Sequence, residues 1–100
     1  MEKECINRLT VIGSKRQVLL FRKSNWEAAL HPRYFELMEN SPHRYIGQFY
    51  TDSMVLEPLR KLSRRFPRLV FLVEWEAEAE RIKGLAKAAA GELGEYRVKY

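Results

Sequence analysis

The side chains that could do chemistry are few. Two histidines, His31 and His43, sit beside Pro32 and Pro42 in turn-like segments. A zinc site needs three or four converging ligands. The chain has neither a His-x-x-x-His nor a Cys-x-x-Cys spacing, so no metal is expected. A single cysteine, Cys5, excludes an internal disulfide framework. As a nucleophile Cys5 would need a base to form its thiolate. Nothing in the sequence points to one, and a buried or edge thiol is expected. Glu74, Glu76, Glu78 and Glu80 alternate, which would place four carboxylates on one face of an extended strand. Paired carboxylates do acid–base work only when their environments separate their pKa values. A regular row more often forms a solvated face that discourages edge pairing. No phosphate-binding glycine loop, nucleophile elbow or dinucleotide fingerprint occurs. The expectation is a non-enzymatic protein without catalytic residues or a cofactor.

The basic residues carry more information. The 100 residues hold 18 Lys and Arg against 13 Asp and Glu, a net charge of +5. Residues 1–73 hold 13 basic and 7 acidic side chains, and residues 74–100 hold 5 and 6. Lys15, Arg16, Arg22 and Lys23 fall in one predicted helix without an acid. Arg60, Lys61, Arg64, Arg65 and Arg68 fall in and just after another, with only Glu57 nearby. Two such helices side by side would make a basic patch able to neutralise phosphates. Lys15, Arg16, Arg60, Lys61, Arg64 and Arg65 are therefore the candidate nucleic-acid contacts. Lys and Arg also populate helix surfaces simply for solubility. A weaker nucleic-acid reading uses the sheet. Arg44 to Tyr50 resembles the aromatic third strand of RNA-recognition domains, with Tyr45 and Phe49 on one face. The Gly-Phe-Gly core of that motif is missing, and packing roles for these rings are the stronger reading.

Those side chains must be positioned by a small set of elements. Ile6 to Gly13 reads as a strand apolar on both faces. Ser14-Lys15-Arg16-Gln17 fits a capping box and predicts a helix over 15–24. Trp26, Ala29 and Leu30 fit a short turn before Pro32. Arg33 to Glu39 is ambiguous between helix and strand. Asn40-Ser41-Pro42 is turn chemistry, and Tyr45 to Thr51 is rich in strand formers, so a hairpin is the economical reading. Asp52-Ser53 offers a cap for a helix over 54–66, where Val55, Leu56, Leu59, Leu62 and Phe66 recur at helical spacing. Leu69 to Trp75 is the clearest strand. Residues 77–90 have high helix propensity, yet Gly84 interrupts them and Tyr96 to Tyr100 alternates.

The order strand, helix, strand, strand, helix, strand is the split β-α-β pattern of ferredoxin-like folds. The expected architecture is an α+β, ferredoxin-like sandwich, an antiparallel sheet with two helices on one face, forming a single domain over 1–100. A C-terminal strand or hairpin extension would occupy 77–100. Cys5-Ile6-Asn7-Arg8-Leu9-Thr10-Val11-Ile12-Gly13, Leu62 to Phe71, Gly84 and Gly91-Glu92-Leu93 resemble segments of the YubB-like proteins, found largely on phages and plasmids. The resemblance implies a ferredoxin-like domain and a C-terminal hairpin, Ile82–Ala88 pairing with Leu93–Tyr100 around Ala90-Gly91. It implies no activity. A helix from Ala77 to Ala90 is the rival.

The remaining expectations follow from composition. The hydrophobic share is 46%, and the longest stretch free of Asp, Glu, Lys and Arg is the seven residues Tyr45 to Thr51. A transmembrane helix is excluded. The start, Met1-Glu2-Lys3-Glu4-Cys5, lacks the apolar run of a secretory signal, and the lone cysteine fits a reducing compartment. A cytoplasmic location is expected. Strands apolar on both faces need cover on both sides, and two helices cover one. A homodimer joined through the open sheet face would supply the second cover, as would the C-terminal extension folding back, and the homodimer is the expected partner arrangement.

Overall fold

The computed structural model describes residues 4–100. The chain runs through β1 (Cys5–Ile12), α1 (Lys15–Lys23), α2 (Glu27–Leu30), β2 (Arg33–Ser41), β3 (Arg44–Thr51), α3 (Leu56–Arg65), β4 (Val70–Ala77), β5 (Ile82–Ala89) and β6 (Glu92–Lys99). A single 3₁₀ turn, Glu78–Glu80, joins β4 to β5. All six strands form one antiparallel sheet in the order β2-β3-β1-β4-β5-β6.

The ferredoxin-like two-helix sandwich does not form. Sheet dominates instead: 51% of the structure is strand and 27% helix, the helices being three short segments. Two local choices decide this. Residues 82–99 do not remain an appendage but lengthen the sheet by two strands, with β5 in unbroken register along β4. Trp26 to Leu30 makes its own helical turn, ended by His31 in the left-handed region at φ 50°. The rival helix over 77–90 fails because strand pairing buries Ala86 and Ala88 completely. Tertiary burial overrides a weak local propensity.

Outside the two register breaks of β2, alternation assigns each strand residue to a face. On β1 the core side carries Cys5, Asn7, Leu9 and Val11, all buried. On β4 it carries Phe71, Val73, Trp75 and Ala77. Phe21 from α1 is the hub above them. Its ring lies 5.5 Å from Trp26, 5.9 Å from Tyr45, 5.4 Å from Phe66 and 5.5 Å from Phe71. These are offset and edge-on distances at which aromatic pairs attract beyond their burial. Ser14 holds the start of α1 by accepting the Gln17 N–H at 3.3 Å. The Asp52-Ser53 cap expected for α3 is not used. Helix α3 starts at Leu56 without a side-chain cap, and the Ser53 carbonyl instead accepts the Thr51 hydroxyl.

Two glycines mark close approaches. At Gly47 an added Cβ would lie 2.3 Å from the Phe35 ring. Breaks in the β2–β3 register near Arg33/Glu36 and Leu37/Glu39 accompany Phe35's place beside Trp26, 5.6 Å away. At Gly84 an added Cβ would lie 2.6 Å from the Tyr96 carbonyl oxygen and 2.7 Å from the Trp75 ring. A glycine inside a strand often marks such a contact. Gly84→Ala is expected to destabilise by about 1–3 kcal/mol through overpacking, read as a lower urea midpoint. Gly94→Ala, where nothing lies within 4 Å, is the control and should shift stability by no more than about 0.5 kcal/mol.

Candidate interaction surfaces

All three helices sit on one side of the sheet, with α1 over Tyr45 and Phe71, α2 against α3, and α3 over β4, β5 and β6. The other face has no covering layer among the described residues. Its central part carries Ile6, Thr10 and Ile12 from β1, Ile46 and Tyr50 from β3, and Val70 and Leu72 from β4. Leu85, Tyr96 and Val98 extend it, and Leu85 is 47% and Tyr96 72% exposed. A shallow groove of about 550 Å³ crosses this face between β1 and β6, bounded by Ile6, Arg8, Glu74, Leu85, Tyr96 and Val98 among others.

The charges of the open face balance. Arg8, Arg33, Arg44, Lys83 and Lys87 oppose Glu36, Glu39, Glu74, Glu76 and Glu92, five against five. Arg8 stands directly opposite Glu74, and Glu76 opposite Lys83. Arg44 donates to Glu39 through Nε at 2.6 Å and a second nitrogen at 3.0 Å, which holds the Glu39 carboxyl below its usual range. The Tyr100 hydroxyl donates to Glu76, and this bond raises its pKa above the ordinary phenol value. The four-glutamate row expected from the alternation is cut in half. Only Glu74 and Glu76 share the strand face, because β4 ends at Ala77 and Glu78 and Glu80 enter the 3₁₀ turn.

The whole +5 excess therefore lies off the open face. Lys15 and Arg16 open α1 directly after β1, and Arg64 and Arg65 close α3 just before β4. Ile12 and Val70 are register partners, so both helix ends meet at one end of the sheet. An added Cβ at Gly13 would touch Leu69 and lie 3.5 Å from the Arg68 carbonyl, which confirms how close the two junctions run. Lys61 sits one turn back from Arg64 and Arg65 on α3. Arg60 is diverted: its guanidinium donates to Glu57, whose carboxyl is held below the usual range. Arg65 lies over the Phe66 ring. Of the six expected contacts, Lys15 and Arg16 open α1 and Arg64 and Arg65 close α3 at the same end of the sheet, with Lys61 one turn earlier, while Arg60 pairs with Glu57 and the Arg64 side chain lies against Gly91.

The sheet-stacking reading is corrected. Tyr45 and Phe49 point into the core beneath the helices, buried. No base could reach them. The histidines separate as well. His31 caps α2, while His43 in the β2–β3 turn sets its Nδ1 3.1 Å from the Gly13 carbonyl oxygen. Among the described residues no three His, Cys, Asp or Glu side chains converge as metal ligands.

Sequence reasoning missed Asn7. It lies fully buried in phase with Leu9 and Val11, opposite Phe49 on one side and Trp75 on the other. Its Nδ2 donates to the Thr51 hydroxyl oxygen at 2.9 Å. Asn7 Oδ1 and Trp75 Nε1 are buried without a partner among the described residues. The available signal was its spacing, two residues before Leu9 on the core-facing side of a central strand.

No protein-family model matches the chain, and no curated protein or solved structure matches it.

Cys5 is buried at the start of β1, 2% exposed. Burial, and then the charge of Glu80, push its thiol pKa up. Thiolate is the reactive form. In the native state Cys5 should resist a thiol reagent at pH 8 and react rapidly once urea unfolds the chain. A thiol whose folded pKa is raised favours folding below its ordinary pKa. That contribution is lost as pH rises through the raised value. Cys5→Ser should flatten the alkaline fall in urea stability relative to the parent chain.

Proposed function

We propose that the protein is a non-enzymatic interaction module that pairs with a second copy of itself through the open sheet face. The observation that supports this reading is the uncovered, charge-balanced face opposite the helices, with Ile6, Ile12, Leu72, Leu85, Tyr96 and Val98 among its charges. Eight-residue strands at about 3.3 Å per residue and six strands about 4.8 Å apart give a footprint of roughly 26 by 24 Å. Face-to-face pairing would bury on the order of 1,200 Å² over both copies, the lower bound of specific interfaces. Opposite charges distributed within one face suit contact with an identical face. A basic, unbalanced face would repel its copy. A cytoplasmic location is part of this reading, supported by the unpaired Cys5. Among the described residues no helix is long and apolar enough to cross a membrane.

Light scattering over a wide concentration range tests it. The expected particle has twice the 11.9 kDa chain mass. Leu85→Glu, at an exposed position, should retain the fold by circular dichroism and weaken association by at least about tenfold. A monomer up to about 1 mM would overturn the reading.

A second reading is favoured by the cluster at the end of the sheet: contact between a polyanion such as nucleic acid and Lys15, Arg16, Lys61, Arg64 and Arg65. Phosphate contacts make affinity fall steeply with salt. Changing Lys61, Arg64 and Arg65 together to Ala should weaken binding to a DNA or RNA duplex and lower the salt slope by about 2–3. The charge-conserving pair of changes Glu57→Ala with Arg60→Ala should alter it little, since the two side chains form one neutral ion pair. An unchanged titration in the triple variant would remove α3 from such a site.

A further inference from the structure

We infer that β6 is a second contact for self-association: two copies join their β6 strands antiparallel, about a two-fold axis through Tyr96, and extend the sheet from six to twelve strands. This goes beyond face-to-face pairing, because it uses the sheet edge and leaves the open face free.

The two edges of the sheet are built differently. The outer strands are β2 and β6. Strand β2 is broken as a template: its register shifts twice, and Tyr34 sits at φ 54°. Bulges and irregular backbone are the usual protection of an edge. Strand β6 has none of this. It pairs with β5 across all eight residues without a break, contains no proline, and is exposed along nearly its whole length.

Its hydrogen-bonding phase is set by the turn. The two-residue loop Ala90-Gly91, both at positive φ, closes on the pair Ala89 and Glu92. At the far end the Tyr100 N–H donates to the Arg81 carbonyl at 2.8 Å. Antiparallel ladders alternate strictly, so even-numbered residues of β6 turn their backbone groups to β5. Leu93, Glu95, Arg97 and Lys99 direct their N–H and C=O groups outward, where the described residues supply no partner.

The charge order then selects one register. A two-fold axis perpendicular to the sheet pairs residues of the same face. Centred on Tyr96, it sets Glu95 opposite Arg97 of the second copy, twice, and Tyr96 opposite Tyr96. The outward groups of the four odd residues would close eight backbone hydrogen bonds. Moving the centre to Glu95 or to Arg97 places like charges directly opposite, which destabilises a cross-strand pair. The Glu95–Arg97 ion pair within one chain shows that both side chains lie on the same face; the Arg97 guanidinium also lies 5.6 Å over the Trp75 ring, and the exchange requires it to swing outward from there.

Sedimentation of the intact chain at low salt tests this. Glu95→Arg and Arg97→Glu, each alone, should weaken association by about tenfold, since each puts two like-charge pairs in the contact. The double change Glu95→Arg with Arg97→Glu should restore it to within about threefold. Tyr96→Cys supplies a second test. Residues directly opposite at a non-hydrogen-bonded position have Cα atoms about 4.5 Å apart, within disulfide range, and buried Cys5 does not compete. Combined with Leu85→Glu, which removes face pairing, Tyr96→Cys should still oxidise to a covalent dimer. The inference is overturned if the single charge reversals leave association unchanged. It is overturned equally if the cross-link forms only when Leu85 is intact, an outcome that keeps the open-face reading. A chain that stays monomeric up to about 1 mM overturns both.

Discussion

The antiparallel register of β1 between β3 and β4 sets every other placement in this molecule. With Leu9 opposite both Gly47 and Val73, and Val11 opposite Tyr45 and Phe71, the core side of three strands is chosen at once. Side-chain direction alternates with a period of two, so a slip of one residue would exchange the two faces. For β1 it would put Arg8 under the helices and expel Leu9. The free-energy cost of burying such a charge makes that alternative inaccessible.

Once that face is chosen, the aromatic cluster follows. Phe21 and Trp26 come from adjacent helical segments, Phe35, Tyr45 and Phe49 from the β2–β3 hairpin, and Phe66 and Phe71 from the α3–β4 junction. The cluster ties both helical segments and the hairpin to the central strand. Asn7 and Thr51 form a buried polar pair in this layer, and the Thr51 hydroxyl in turn donates to the Ser53 carbonyl. A buried amide with a specific partner penalises any register that separates it from Thr51.

The same arrangement divides the charge. Alternation puts both signs on the open face in equal number, and the basic excess falls on the helix side, concentrated where α1 begins and α3 ends. One molecule thus presents two chemically distinct surfaces, a charge-balanced sheet face of mixed apolar and charged side chains and a basic end. Its sheet edges differ as well, β2 irregular and β6 regular.

Much of the chain was legible from its residues. Helix α1 followed from the Ser14 cap and the Val18–Phe21 spacing, and the positions of β1, β3 and β4 followed from apolar runs between turn residues. These are local signals, and local backbone preference reads them out. What failed was non-local. The ferredoxin-like sandwich was wrong because the hairpin of Ile82–Ala88 with Leu93–Tyr100, which does form, joins the edge of β4 and lengthens the sheet, burying Ala86 opposite Val73, instead of standing apart as an extension. The glutamate row misled because its alternation continued past the point where the chain leaves the sheet. Of the candidate contacts, the identity of the basic residues was plain in the sequence. That Arg60 is spent on Glu57 while Lys15 and Arg64 reach the same end of the sheet was not. By itself the sequence determined which residues are basic, that Ile6–Gly13, Tyr45–Thr51 and Leu69–Trp75 are strands and 15–24 and 54–66 helices, and that a single cysteine serves no disulfide within the chain. Only the tertiary structure decided how many strands share the sheet, which face stays open and which charges remain unpaired, because each of these depends on pairing between residues far apart in the chain.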